Sequence, residues 1–465
     1  MKHHHPIAAG LALASQAAAF FVLPCARPVV VERADPIVNP GALSGHAHTV
    51  MGGSGFNFTM DYDRAVSSAC SSCRARADLS NYWIPNLYYH REDGKFEEVS
   101  QVGGMLVYYL QRQDPQDIGF ANGLVAFPEG FQMLAGNPHL RSFNNTLEQR
   151  AISYACLGVS GPETPGLPNH NCPNGLRAQV MFPSCWDGVN LDSPDHKSHV
   201  AYPSLVDNGV CPPTHPVRFP SLFYEVTFRV DDFKNRWYGN SQPFVFSQGD
   251  PTGYGLHGDF LNGWDVDILQ KAVTNCTDAS GDIELCKVLD LFDEETMRSC
   301  WVPSRVDEVV SGTLDKLPGC NPVQNGPANA VQGSGCGAPT TISAPAWPYE
   351  DVTQSHGYRY LGCAKDANGR SRTLDGPSRL NDDMTVETCI AFCNDRGYKY
   401  AGLEYQRECY CGNDVAADRA PVKGILGVCE MPCKGDNSQI CGGYGGLSLY
   451  EKCPTGGACA NAELM

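Results

Sequence analysis

Four short constellations hold the residue types that can do chemistry. Gly45-His46-Ala47-His48 follows Asp35-Pro36-Ile37-Val38, and on an extended segment His46 and His48 point to one side, as two ligands of an ion or two donors in a cleft must. Ser184-Cys185-Trp186-Asp187-Gly188 is followed by Asp192, Asp195, His196 and His199. Cys211-Pro212-Pro213-Thr214-His215-Pro216 is the third, and Gly255-Leu256-His257-Gly258-Asp259 running on to Trp264-Asp265 is the fourth. With His46 and His48, one of His196, His199, His215 or His257 would complete a three-imidazole site for zinc or copper. The competing reading has these rings satisfying backbone groups in a loop-rich domain. No HExxH motif is present and Cys70-Ser71-Ser72-Cys73 reads as part of a disulfide network, so no cofactor is expected and zinc or copper is the alternative.

Acid and base groups come from the same segments. Glycoside hydrolysis needs two carboxyl groups about 5–10 Å apart, one protonated and one ionised. Asp187 beside Trp186 and Asp259 ahead of Trp264 are the preferred pair, because an indole supplies both a stacking face and desolvation. Each Asp also has the plainer use of accepting backbone hydrogen bonds in a turn. No Gly-x-Ser-x-Gly elbow, phosphate loop or dinucleotide fingerprint occurs, which argues against esterase, kinase and dehydrogenase chemistry.

The elements that must position these groups read as mainly β. Residues 104–110 and 222–230 have strand composition, and Glu225, Thr227 and Arg229 alternate with apolar neighbours in the second. Helical patterns are fewer: residues 264–273, 282–292 and 145–154. A β-rich, sandwich-like domain with a few peripheral helices is expected over 20–322. A Pro/Gly-rich linker follows at 323–355, then a compact cysteine-rich segment at 356–452 and a tail at 453–465 closed by Cys453 and Cys459. Cys320 and Cys336 would staple part of the linker.

Composition sets the compartment. Twenty-two cysteines in 465 residues imply an oxidising environment. Met1-Lys2-His3 ahead of the apolar run from Ile7 to Ala19, ending in three alanines, reads as a secretory signal over 1–19, too short for a membrane span. A cut there leaves none of His3, His4 or His5 at the mature end, which argues against an amino-terminal copper brace. Sequons at Asn57, Asn144 and Asn275 fit passage through the secretory pathway as N-glycosylation sites. A net charge of −17 argues against nucleic acid and anionic membranes as partners.

The cysteine-rich segment carries Cys363, Cys389, Cys393, Cys409, Cys411, Cys429, Cys433 and Cys441. So small a unit needs covalent staples to fold, here expected as disulfides. Thr385 is a good N-cap with Thr388 three residues on, predicting a helix over 386–396 ended by Gly397; 398–405 and 408–412 read as paired strands. The motifs Tyr360-Leu361-Gly362-Cys363, Met384 to Cys389, Tyr400 to Tyr405, Glu408-Cys409-Tyr410-Cys411-Gly412 and Cys441-Gly442-Gly443 together closely resemble the WSC domain, a small disulfide-rich α+β module. That resemblance implies binding to a wall polysaccharide such as β-glucan. Tyr400, Tyr405 and Tyr410 are the expected stacking platforms in this module, with Trp83, Trp186 and Trp264 in the larger domain.

Leu23-Pro24-Cys25, Asp35 to Val38, Gly45 to His48, Ala77 to Pro85, Phe182 to Gly188 and His257 to Phe260 resemble the secreted fungal domain of unknown function often fused to WSC modules. The resemblance implies that its polar signature, including His46, His48, Asp78, His199, His215 and His257, converges on one site. Met51-Gly52-Gly53 departs from the pattern where an aromatic or His is expected, leaving open whether a third His ligand joins His46 and His48. The resulting expectation is a secreted, extracellular or wall-associated fungal protein. Its WSC module holds polysaccharide and its large domain binds or processes a glycan. The alternatives are a glycoside hydrolase using Asp187 and Asp259, or a metal-dependent enzyme centred on His46 and His48.

Overall fold

The computed structural model describes residues 19–464 apart from 332, 334–339, 344–346 and 367–370. All but the last residue of the expected 1–19 signal lies outside the described residues, as do Cys336 and part of the 323–355 stretch. The larger domain is built on two five-stranded antiparallel sheets. One runs in the order Ala19–Cys25, Gln101–Gln111, Ser221–Phe228, Leu176–Met181 and Ile152–Cys156; the other runs Val30–Ala34, Leu43–Gly52, Asn81–Pro85, His257–Leu261 and Gln132–Gly136.

Alternation along these strands makes the two sheets a sandwich. Phe21, Tyr109, Val107, Tyr224 and Val226 of the first sheet share one core with Met51, Tyr82, Ile84, Phe260 and Met133 of the second. Tyr82 meets Tyr224 edge-on at 5.8 Å across the layer, and the Tyr224 hydroxyl donates to the Asp259 carbonyl at 2.9 Å. Burying each such ring contributes about 1.5–3 kcal/mol, so the alternation alone strongly specifies which face turns inward. The opposite face of the second sheet holds Val50, Trp83 and Leu261, packed under Val302 and Val306, and that face also carries His46, His48, His257 and Asp259.

Two helical expectations change. Within 145–154 only Leu147–Arg150 makes a helical turn, capped by Thr146; Ile152–Cys156 is a strand, because Ile152 and Tyr154 bury at period two beside Leu176–Met181. Within 282–292 only Ile283–Leu285 forms a short 3-10 turn, tied back by the Cys276–Cys286 disulfide to the end of the helix Val266–Asn275.

The carboxy-terminal module is a five-stranded sheet, in the order Tyr358–Lys365, Gly446–Lys452, Tyr400–Glu404, Glu408–Gly412 and Ser378–Leu380, with the helix Val386–Asn394 against it. Thr385 and Thr388 form a reciprocal capping box at the start of that helix. Cys389 and Cys393, one turn apart, reach Cys409 and Cys411 on the adjacent strand; Cys363–Cys429 and Cys433–Cys441 complete the staples. Cys70 and Cys73 pair with Cys300 and Cys25, and no described cysteine is free. The two domains touch: Trp301 packs on the smaller core and its indole N–H donates to the Gly427 carbonyl at 2.7 Å. Val352 and Leu464, flanking the module on either side, also pack into that core.

Candidate functional site

The strands Leu43–Gly52 and His257–Leu261 both pair with Asn81–Pro85, with His48 opposite Pro85 and Asp259 opposite Trp83. This register places His48 and His257 in one row across the sheet, and His46 lies two residues away on the same face. Gly136, opposite His257, has φ +80°, and a Cβ there would sit 2.4 Å from the Leu256 carbonyl oxygen; only glycine lets the backbone come this close. The three imidazoles then crowd together, with ring centroids 4.3, 4.9 and 5.7 Å apart and one ring nitrogen from each within 4.8 Å of the others.

Backbone carbonyls set the orientation of two rings. His48 Nδ1 bonds the Ala34 carbonyl at 3.0 Å and His257 Nδ1 bonds the Gly255 carbonyl at 3.0 Å. A neutral imidazole that donates from Nδ1 carries its lone pair on Nε2. His46 Nε2 lies 2.9 Å from His257 Nε2, whereas His48 Nε2 is buried without a hydrogen-bond partner. Burial pushes all three imidazoles below their usual range, His48 to about 4 and His257 to about 3, so they are neutral at pH 7.

His46 and His257 line a cavity of about 450 Å³ whose wall also includes Asp35, His139, Lys197 and Asp259. Asp259 is 1% exposed and its Oδ2 has no hydrogen-bond partner. Burial, and then repulsion from Asp35, raises its carboxyl well above the usual range, with Lys197 opposing. Asp35 accepts from the Ile37 and Val38 amides, yet desolvation raises it too. Lys197 bonds the Gly136 carbonyl, and Glu148 at 2.6 Å. The pocket therefore presents converging neutral imidazole nitrogens beside a buried carboxyl whose burial favours its protonated form. Asp35, His139 and Lys197 were not foreseen as site residues; only the Asp-Pro before Gly45 to His48 hinted at the first.

Other expected site residues lie elsewhere. Asp187 does not line this cavity. Its Oδ1 accepts from the Val189 and Asn190 amides at 2.8 and 2.9 Å, and Oδ2 from the Asn190 side chain at 2.7 Å. Its slight burial is outweighed by these bonds, which hold the carboxyl below its usual range. The Asp187/Asp259 pair is thus not brought into one cleft, because the first is spent as a turn acceptor. Asp78 is buried with Ser80 and with Tyr82, which donates to it at 2.6 Å, and desolvation raises it to about 6. His199 bonds Ser193 and the Gln132 carbonyl; His215 bonds Thr214 and the Ser198 carbonyl. Neither joins the three-imidazole cluster.

The expected platforms divide sharply. Trp83 and Trp264 are 0% exposed, so neither offers a face to a sugar; Trp264 is tied into the core by its N–H to the Tyr109 hydroxyl at 2.7 Å. Trp186 stacks on Phe219 at 5.2 Å and bonds the Asn190 carbonyl, leaving it half-buried. In the small module Tyr410 is buried under the Arg372 guanidinium, 4.3 Å from the ring centre, and Tyr400 is half-buried beside Lys399 and Glu451. Tyr405 and Tyr444 are 49% and 70% exposed, with rings 6.4 Å apart. Among the sequons, Asn144 and Asn275 are exposed, while Asn57 is half-buried and accepts from Arg305 at 2.9 Å.

Comparison with known proteins matches the model of a domain of unknown function, DUF1996, to residues 35–264, and the WSC domain to residues 360–443. A WSC domain-containing protein of Arthroderma benhamiae is 31% identical over 233 residues, 48% of this chain and 30% of that protein. Another from the same fungus is 35% identical over 116 residues, covering 25% and 12% of the two chains. Human Kremen protein 2 is 40% identical over 108 residues, 23% of this chain and 22% of its own. The chain thus spans well under two thirds of each of these relatives. The disulfide richness is consistent with an extracellular location, and among the described residues no helix is long and apolar enough to cross a membrane.

Proposed function

This chain joins a DUF1996 domain to a carboxy-terminal WSC domain, and on that premise we propose that it is a secreted fungal wall protein. The WSC module holds a β-glucan-type polysaccharide and the large domain binds or processes a glycan in the cavity beside Asp259. The observation that carries the reading is the Tyr405 and Tyr444 pair. Tyr405 and Gln406 have φ +47° and +70°, a left-handed backbone that costs non-glycine residues about 1–3 kcal/mol each. That strain holds an aromatic ring outward at the hairpin tip, next to a second exposed ring. Paired exposed rings suit the C–H faces of a neutral sugar, and anchoring raises the local concentration of the large domain at an insoluble polymer.

Co-sedimentation of the secreted chain with insoluble β-glucan, chitin and xylan tests this. Retention on β-glucan, weakened about tenfold in the Tyr405→Ala/Tyr444→Ala double variant, is expected; equal retention of both proteins would remove these rings as the binding surface. Soluble oligosaccharides released in the same incubation would indicate processing, and their absence would leave a binding protein. Hydrolysis would use Asp259 as proton donor, and Asp187 is too committed to its turn to serve as partner.

A further inference from the structure

We infer that His46, His48 and His257 form a mononuclear site for a divalent late first-row transition ion, zinc or copper, with one coordination position open to the cavity. Proton bookkeeping on the three rings carries the inference. With Nδ1 of His48 and of His257 each donating to a backbone carbonyl, both neutral rings turn a bare lone pair inward from Nε2. His46 then holds the one proton able to reach them, and at 2.9 Å it is directed at His257. His48 Nε2 is left buried and unpartnered, a destabilising defect. No arrangement of protons among the three rings satisfies all three inward nitrogens; a cation among them satisfies all three.

The surroundings fit such an ion. Metal-ligating imidazoles usually donate their other N–H to a carbonyl or carboxylate, which fixes ring orientation, and two of these three do so. The donor set contains neither thiolate nor carboxylate, which suits ions of borderline softness over calcium or magnesium. Three protein ligands with a fourth position facing a cavity is the arrangement of catalytic sites, not of closed structural ones. Asp259, two residues beyond His257 on the same strand face and so about 7 Å along it, lines that cavity with a free carboxyl oxygen. It is placed to hydrogen-bond a water or a sugar hydroxyl entering the open position. The other Cys and His clusters hold their cysteines in disulfides and offer no thiolate.

The test uses the full secreted chain without an affinity tag, stripped with a chelator and titrated with zinc(II) or copper(II). One equivalent of either ion is expected by elemental analysis after desalting, and the copper form should show nitrogen hyperfine structure from imidazoles in its electron paramagnetic resonance spectrum. Half-exposed His46 is the ligand to change: His46→Ala and the more conservative His46→Gln should each weaken binding at least about 100-fold. Circular dichroism and melting temperature report whether each variant is folded. A folded wild-type protein that takes up neither ion, or folded variants that bind with unchanged affinity, would overturn the site. Retention on β-glucan is read from the same preparations and depends on the WSC module, so the failure of either reading leaves the other standing.

Discussion

The two domains solve opposite problems with similar chemistry. The large domain has enough chain to close two sheets over a shared aromatic core, which also takes in the Cys25–Cys73 disulfide, and its outer sheet face is free to build a concave site. The WSC module has one sheet and one short helix and depends on four disulfides to hold them. Its candidate surface is an exposed aromatic pair, of which Tyr405 stands on a strained turn. Where burial is plentiful, polar groups can be sunk and left poised; where it is scarce, the binding groups stay outside.

Trp83→Ala should break the large domain first. The ring is fully enclosed, and its loss should cost about 3–5 kcal/mol, read as a lower denaturation midpoint for that domain while β-glucan retention by the folded protein persists. Removing a WSC staple should do the reverse. Cys389→Ala/Cys409→Ala opens a loop of 20 residues, worth about 3 kcal/mol, and should abolish retention with the large domain's transition intact.

Titration separates the domains next. Asp78 has its folded value raised to about 6 by burial, so between about pH 4 and pH 6 the folded state holds a proton that the unfolded chain has released. Stability from this group is therefore fully present below about pH 4 and is lost as pH rises through 6, by about 3 kcal/mol. Urea melts of the large domain at pH 4 and 7 should show this component, and Asp78→Asn should flatten it. Tyr405→Ala/Tyr444→Ala comes next in size, with about tenfold weaker retention, equivalent to about 1.4 kcal/mol, and a melting temperature unchanged. Asp187→Asn should have the smallest effect, under about 1 kcal/mol on stability and none on any product formed; loss of product would restore Asp187 to the chemistry.

The small module was the more legible half. Its helix cap, paired strands and cysteine spacing are local, and the spacing of Cys389 and Cys393 by one turn already points both sulfurs toward one neighbouring strand. In the large domain the strand Ser221–Phe228 announced itself by alternation. The 145–154 segment misled because Glu, Gln and Arg favour helix locally while strand pairing decides for Ile152 onward. Tryptophans were read as platforms because composition says they are large and amphipathic; their burial depends on which sheet face closes.

What the sequence by itself determined was the disulfide-rich character, the β-rich class, the two family matches and the pairing of His46 with His48 on one face. These follow from composition and from periods of two residues, which act over short stretches. Only tertiary structure decided that His257, and not His196, His199 or His215, completes the cluster, that Asp259 enters the cavity and Asp187 does not, and that Tyr405 and Tyr444 are the exposed rings. The physical reason is strand register: His48 and His257 are brought into one row by their common neighbour Asn81–Pro85, and no local pattern encodes which strand will pair with which.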